Sequence, residues 1–106
     1  MSKLVKMIRV NNLQYNANRD PQVYRRPVGE NFRIQAWLEG SGSAKVQFAV
    51  GGEVKCESSV SLPGKFDCQV SFDEAGTVLG ALTVEAGGET VSETIRLDVE
   101  KYAKVG

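Results

Sequence analysis

Phe32-Arg33-Ile34-Gln35-Ala36-Trp37-Leu38-Glu39 alternates apolar and polar residues, and that period of two decides the fold class. Successive side chains on an extended chain point to opposite faces. Phe32, Ile34, Ala36 and Leu38 therefore share one face, and Arg33, Gln35, Trp37 and Glu39 share the other. The stretch reads as a half-buried strand with its aliphatic face toward a core. Gly40-Ser41-Gly42-Ser43 follows, and flexible backbone of this kind is expected to end the strand in a turn.

The same alternation restarts after each Gly-rich break. Val46, Phe48 and Val50 point inward. Beyond Gly51-Gly52, Val54, Cys56, Ser58 and Val60 share a face. A three-residue loop of Gly51, Gly52 and Glu53 sets Val50 opposite Val54 and Phe48 opposite Cys56. Leu62-Pro63-Gly64-Lys65 reads as a type II turn, with Phe66, Cys68, Val70 and Phe72 alternating after it. Asp73-Glu74-Ala75-Gly76 breaks that strand. A strand over residues 77–86 and a two-residue Gly87-Gly88 turn then pair Val84 with Val91, Gly80 with Ile95 and Val78 with Leu97. This register sets Glu93 opposite Leu82 on the inward face, which is expected where the hairpin tip runs past the core into solvent.

No segment carries an apolar stripe of helical period and length, so the chain is expected to be all-β. At the N-terminus Leu4, Ile8 and Val10 suggest a first strand, Asn11 to Pro21 a long polar loop, and Val23-Tyr24 a further extended piece. The expectation is one domain over residues 1–106, looser over 1–27 and with its core over 28–102. About seven strands in 106 residues suit an antiparallel immunoglobulin-like β-sandwich, with a small barrel as the competing closure.

The run Lys65-Phe66-Asp67-Cys68-Gln69-Val70-Ser71-Phe72-Asp73-Glu74-Ala75-Gly76-Thr77-Val78, with a strand on each side, resembles a strand, corner and strand of bacterial immunoglobulin-like or fibronectin-III-like domains. The resemblance covers roughly residues 28 to 100. It departs from antibody-type domains, because the Cys pair is closely spaced, Trp37 does not lie between the two Cys, and no Tyr occupies the corner. It implies a fold and a binding or spacing role, and names no ligand.

Composition narrows the function from outside. The chain has no His, so serine triads, His-assisted thiol proteases and most zinc catalytic sites lose their central residue. The expectation is a protein that is not an enzyme and uses neither cofactor nor metal. Cys56 and Cys68 share inward parity on strands flanking Pro63-Gly64, which leaves two readings open, a disulfide or a pair of buried thiols. A small thiol redox protein is the least favoured reading.

Thirteen basic and thirteen acidic residues cancel, but unevenly along the chain. Residues 1 to 50 hold eight basic against three acidic groups, and the remainder holds five against ten. Either the surface is dipolar, or strands from both halves interleave and mix the charges. Only Tyr24-Arg25-Arg26 sets an aromatic beside basic residues in the manner of nucleic-acid binding, so no nucleic-acid partner is expected. No apolar run is long enough to span a bilayer, and no membrane insertion is expected.

The exposed aromatics are the better lead. By parity Trp37 faces outward beside Arg33, and Tyr24 lies beside Arg25 and Arg26. Trp, Tyr and Arg together suit an interface hot spot or stacking on a sugar ring. The alternative is that Trp37 is core and the face labels are reversed. The functional expectation is therefore a non-enzymatic binding or spacer module contacting protein or carbohydrate in a surface, secreted or virion-associated assembly. The alternative is a stand-alone cytoplasmic interaction protein, including a homodimer. Compartment follows the same division: extracytoplasmic or surface for a fragment of a longer chain, cytoplasmic if Met1 is the native start.

Overall fold

The computed structural model describes residues 4–16 and 24–101. Seven strands carry these residues: β1 (Val5–Val10), β2 (Leu13–Gln14), β3 (Arg26–Pro27), β4 (Phe32–Val50), β5 (Glu53–Val70), β6 (Gly76–Ala86) and β7 (Glu89–Glu100). The protein is all-β, and no α-helix occurs among the described residues.

β4 is one 19-residue strand and β5 one 18-residue strand. Neither expected turn between them exists. Gly40–Ser43 lies inside β4, and Pro63–Gly64 lies inside β5. The reason is that both breaks occur at the same level of one long hairpin. Leu38 pairs with Gly64 and Gly42 with Leu62, so β4 inserts a bulge where β5 carries Leu62-Pro63, whose peptide bond is cis. A bulge bends a strand and increases its twist without ending the ladder. The hairpin folds over as a unit at this level. Gly64 sits at the tightest point, where a Cβ would collide with the Ser61 carbonyl and the Val60 side chain.

The bend divides the sheet into two facing panels. In the first, β2, β1, the N-terminal arm of β4 and the C-terminal arm of β5 lie side by side. The second holds the N-terminal arm of β5, the C-terminal arm of β4, then β6, β7 and β3. The β3–β7 pair is parallel, so the sheet is mixed, and it curls into a half-barrel. Strands from the two halves of the sequence do interleave, since β4 pairs with β1, β5 and β6.

The inward faces close on one another around Phe32, Ile34, Val46, Phe48, Phe66 and Leu97, each at most 1% exposed. The β6–β7 register is as the sequence implies: Val84 pairs with Val91, Gly80 with Ile95, Val78 with Leu97, and Glu93 faces Leu82 in a half-buried position. At the other hairpin Phe48 does oppose Cys56, but Val50 pairs with Glu53 and not Val54. The turn is only Gly51-Gly52, and a bulge after Phe48 absorbs the extra residue. Gly80 has its own packing reason: the Phe48 ring lies where a Cβ would be.

The N-terminal segment is more ordered than a polar loop. Asn11 and Asn12, at φ 54° and 70°, make a two-residue hairpin turn joining β1 to β2. The rest of that expected loop, residues 17–21, lies outside the described residues, as does Val23. Asn11 is 9% exposed and fully used: Oδ1 accepts from Arg33 N at 2.9 Å, and Nδ2 donates to Tyr24 O at 2.7 Å. Tyr24 is buried, not extended strand, and its hydroxyl donates to Gln14 O at 2.7 Å and accepts from Asn16 N at 3.1 Å. Tyr15 packs on it, and the Tyr15 hydroxyl accepts from Arg96 N at 3.1 Å, joining the β2 end of the sheet to β7. These contacts close the side of the half-barrel opposite β5.

Cys56 and Cys68 are joined by a disulfide with their Cα atoms 6.0 Å apart. They do not lie on neighbouring strands; both belong to β5. An unbent strand would hold residues 12 apart at about 40 Å, so the bond ties the two arms of a doubled-back strand across the interior.

Two stability outcomes follow from this packing. Gly80→Ala is expected to destabilise the fold by about 1–3 kcal/mol in urea denaturation, because its methyl must displace the Phe48 ring from a closed core. The double variant Cys56→Ala, Cys68→Ala is expected to lose about 3 kcal/mol by releasing loop-closure entropy to the unfolded chain. Adding reductant to wild type before unfolding should bring its midpoint toward that of the double variant.

Candidate functional site

The outward face of the first panel is built by three strands in register. β4 presents Arg33, Gln35 and Trp37; β5 presents Lys65, Asp67 and Gln69; β1 presents Arg9 and, directly opposite Trp37, Met7. Lys65 is directly opposite Trp37, Asp67 opposite Gln35, and Arg9 opposite Gln35 from the other side. Trp37 faces outward, as its parity indicates, and is half-buried among these neighbours.

Two cations contact the indole. The Arg9 guanidinium carbon lies 5.0 Å from the ring centroid and the Lys65 ammonium 5.6 Å from it. Both distances fall within cation–π range. Arg9 reaches in from β1 and Lys65 from β5, so the ring is held from both neighbouring strands.

Beside the indole lies a bidentate ion pair. Arg33 Nη2 donates to Asp67 Oδ2 at 2.7 Å, and Arg33 Nε donates to both Asp67 oxygens at 3.2 and 3.3 Å. Gln35 Nε2 adds a long contact to Asp67 Oδ2 at 3.5 Å. Hydrogen bonding from Arg33 holds the Asp67 carboxyl below the usual carboxylate range, against a smaller opposing effect of burial and with help from the nearby charges of Arg33 and Lys65. The same hydrogen bond raises the Arg33 guanidinium further above its ordinary value.

The remaining candidates lie elsewhere. Tyr24 is in the core. Arg25 pairs with Glu100 at 2.7 Å beside the β3–β7 edge, and Arg26 donates to the Arg25 carbonyl at 3.2 Å. The structure thus brings Trp37 and Arg33 onto one face and separates them from Tyr24, Arg25 and Arg26. Reading along one strand found Arg33 and missed Arg9 and Lys65. Both are outward by parity within their own strands, but Arg9 meets Trp37 through the β1–β4 pairing and Lys65 through the register that the β4 bulge sets. Extending the Phe48–Cys56 register without that bulge would set Asp67, an acid, opposite Trp37.

The charge asymmetry of the sequence resolves at the same level. Arg25, Arg33 and Lys45 from the basic half meet Glu100, Asp67 and Glu57 from the acidic half. On the Trp37 face Lys6 is matched by Glu39 and Arg33 by Asp67. Among the described residues neither Arg9 nor Lys65 has a carboxylate within 4 Å, although Lys65 is near enough to Asp67 to favour its ionised form, so the cations touching the indole are the ones outside the ion pairs of this face. The second panel carries an open depression lined by Lys45, Gln47, Thr83 and Glu85. Among the described residues no three metal-ligating side chains cluster.

The sign of the Asp67 shift sets a pH response. Because its folded pKa is lowered, the pair contributes stability above the unfolded carboxylate pKa of about 3.9 and loses it as pH falls through the folded value. Asp67→Asn is therefore expected to be less stable than wild type near neutrality, with the gap closing below about pH 4. Urea midpoints of both proteins across that range check this.

No protein-family model matches the chain, and no curated protein is significantly similar to it.

Proposed function

We propose that this chain is a non-enzymatic binding or spacer module of the immunoglobulin-like β-sandwich kind, which meets a protein or carbohydrate partner through the outward face of its first panel. The observation that carries this reading is Trp37, half-buried on an outward strand face with Arg9 and Lys65 against its ring. A small domain ordinarily places a lone Trp in its core. Here the core is closed by Phe, Leu, Ile and Val side chains, and the largest side chain of the sequence lies on the other face. The Cys56–Cys68 disulfide supports a place in an oxidising compartment, as a surface, secreted or virion-associated assembly would provide.

Trp37→Ala separates an interface residue from a structural one. The expected outcome is a loss of about 1 kcal/mol or less in urea denaturation, together with loss of retention on arrays of immobilised proteins and glycans that hold the wild type. A loss of about 3 kcal/mol or more would mark Trp37 as a packing residue, and unchanged retention by a folded variant would remove this face from the binding surface.

A further inference from the structure

We infer that Arg9, Trp37 and Lys65 form a subsite for a carboxylated sugar residue of an acidic polysaccharide, an inference that rests on the binding face proposed above. Two observations choose the ligand's chemistry. The first is charge. Lys6 and Arg33 on this face are already paired with Glu39 and Asp67, so the cations outside an ion pair are the two that touch the indole. A carboxylate arriving there finds its counter-charges in place, and the Arg9 fork is suited to donate to it bidentately.

The second is how little apolar surface surrounds the ring. A protein–protein interface concentrates apolar side chains at its centre and depletes charge there. On this face Trp37 pairs with the half-buried Met7 of β1, and its other neighbours, Arg9, Gln35, Lys65, Asp67 and Arg33, are polar or charged. The large exposed hydrophobics among the described residues, Leu13, Val54 and Leu79, lie outside it. Leu13 pairs with inward Val10, Val54 is on the other arm of β5, and Leu79 is on β6. One indole plane amid amide, guanidinium and carboxylate groups matches a pyranose, which presents a C–H face and a rim of hydroxyls. On binding, Arg9 and Lys65 exchange a cation–π contact for stronger charge-assisted hydrogen bonds to the carboxylate. The ring surface they vacate receives the sugar. Asp67, held ionised by Arg33, accepts from a hydroxyl at the rim.

Trp37 is the sole tryptophan of the chain, so its fluorescence reports the subsite directly. The test is a titration of the intact protein at low salt with polygalacturonate, neutral dextran and polyglutamate. These polymers separate charge from ring. The expected result is a saturable emission change with polygalacturonate and a response at least about tenfold weaker with either of the others. Arg9→Gln, Lys65→Gln should weaken the polygalacturonate response about tenfold or more while leaving the urea midpoint unchanged. Arg9→Lys, which keeps the charge, should retain part of it.

Equal responses to dextran and polygalacturonate would overturn the acidic requirement and leave the face as a sugar-binding surface. Equal responses to polyglutamate and polygalacturonate would overturn the sugar and leave it as a surface for acidic protein. Silence with all three polymers overturns the subsite. In that case retention of wild type but not Trp37→Ala on protein arrays would keep the binding face, and its absence would remove both.

Discussion

The shared bend of β4 and β5 is the constraint on which the rest of the structure depends. Two long strands that stayed straight would expose one apolar face along their whole length and bury nothing. Placing the Gly40–Gly42 bulge opposite Leu62-Pro63 lets both strands turn at one level while the ladder continues on either side. Phe32 and Ile34 on one arm then face the core built by Val46 and Phe48 on the other. The disulfide acts on this same bend, since it joins two positions of one strand that only the bend brings together. The two panels are therefore consequences of a single fold-over, with β6 and β7 extending one panel and β1 and β2 the other.

The bulge also sets what the outer surface presents. Between Leu38 and Gly42 β4 runs four residues while β5 runs two, from Gly64 to Leu62. A slip of two keeps every side chain on its own face, so the core is indifferent to it. The outer face is not. The slip replaces Asp67 with Lys65 opposite Trp37 and leaves Asp67 within reach of Arg33. Surface ion pairs of this kind contribute about 0–1 kcal/mol each, too little to hold the panels together. They favour one alignment over its neighbours, because a different slip would leave Arg33 and Asp67 apart.

What the sequence made legible, and what it did not, follows from the range of the information. Alternation is local, and it gave the inward and outward assignment of Trp37 and Phe48. The β6–β7 register was legible because a two-residue Gly87-Gly88 turn fixes all pairings that follow it. Gly40-Ser41-Gly42-Ser43 and Pro63-Gly64 misled, because glycine and proline report a departure from straight extended backbone without saying whether the chain turns back or bends through. Only their coincidence at one level of a hairpin separates the two outcomes. The structural role of Asn11 is hidden for a related reason, since its side-chain amide is satisfied by Arg33 and Tyr24, residues 22 and 13 positions away. Arg9 escaped notice likewise: no property of β1 alone indicates that its neighbour is an indole.

The shape of the Trp37 face limits how it binds. The face is the outer surface of three hydrogen-bonded strands, and Trp37 is half-exposed on it. A ligand residue there remains partly solvated, so its electrostatic attraction is screened and each contact is worth less than the same contact in a cleft. Selectivity on such a face comes from the position of charge relative to the aromatic plane more than from enclosure. The β-sheet supplies that positioning cheaply. Arg9 and Lys65 are anchored on strands hydrogen-bonded to either side of β4, so their roots cannot drift apart while the ladder is intact. A single weak but well-positioned subsite gains strength by repetition, through linked copies of the module or through a polymer with repeated acidic residues. A polysaccharide meets the second condition by its construction. An isolated small acid does not, and on an outward strand face it would find two cations with little else to hold it.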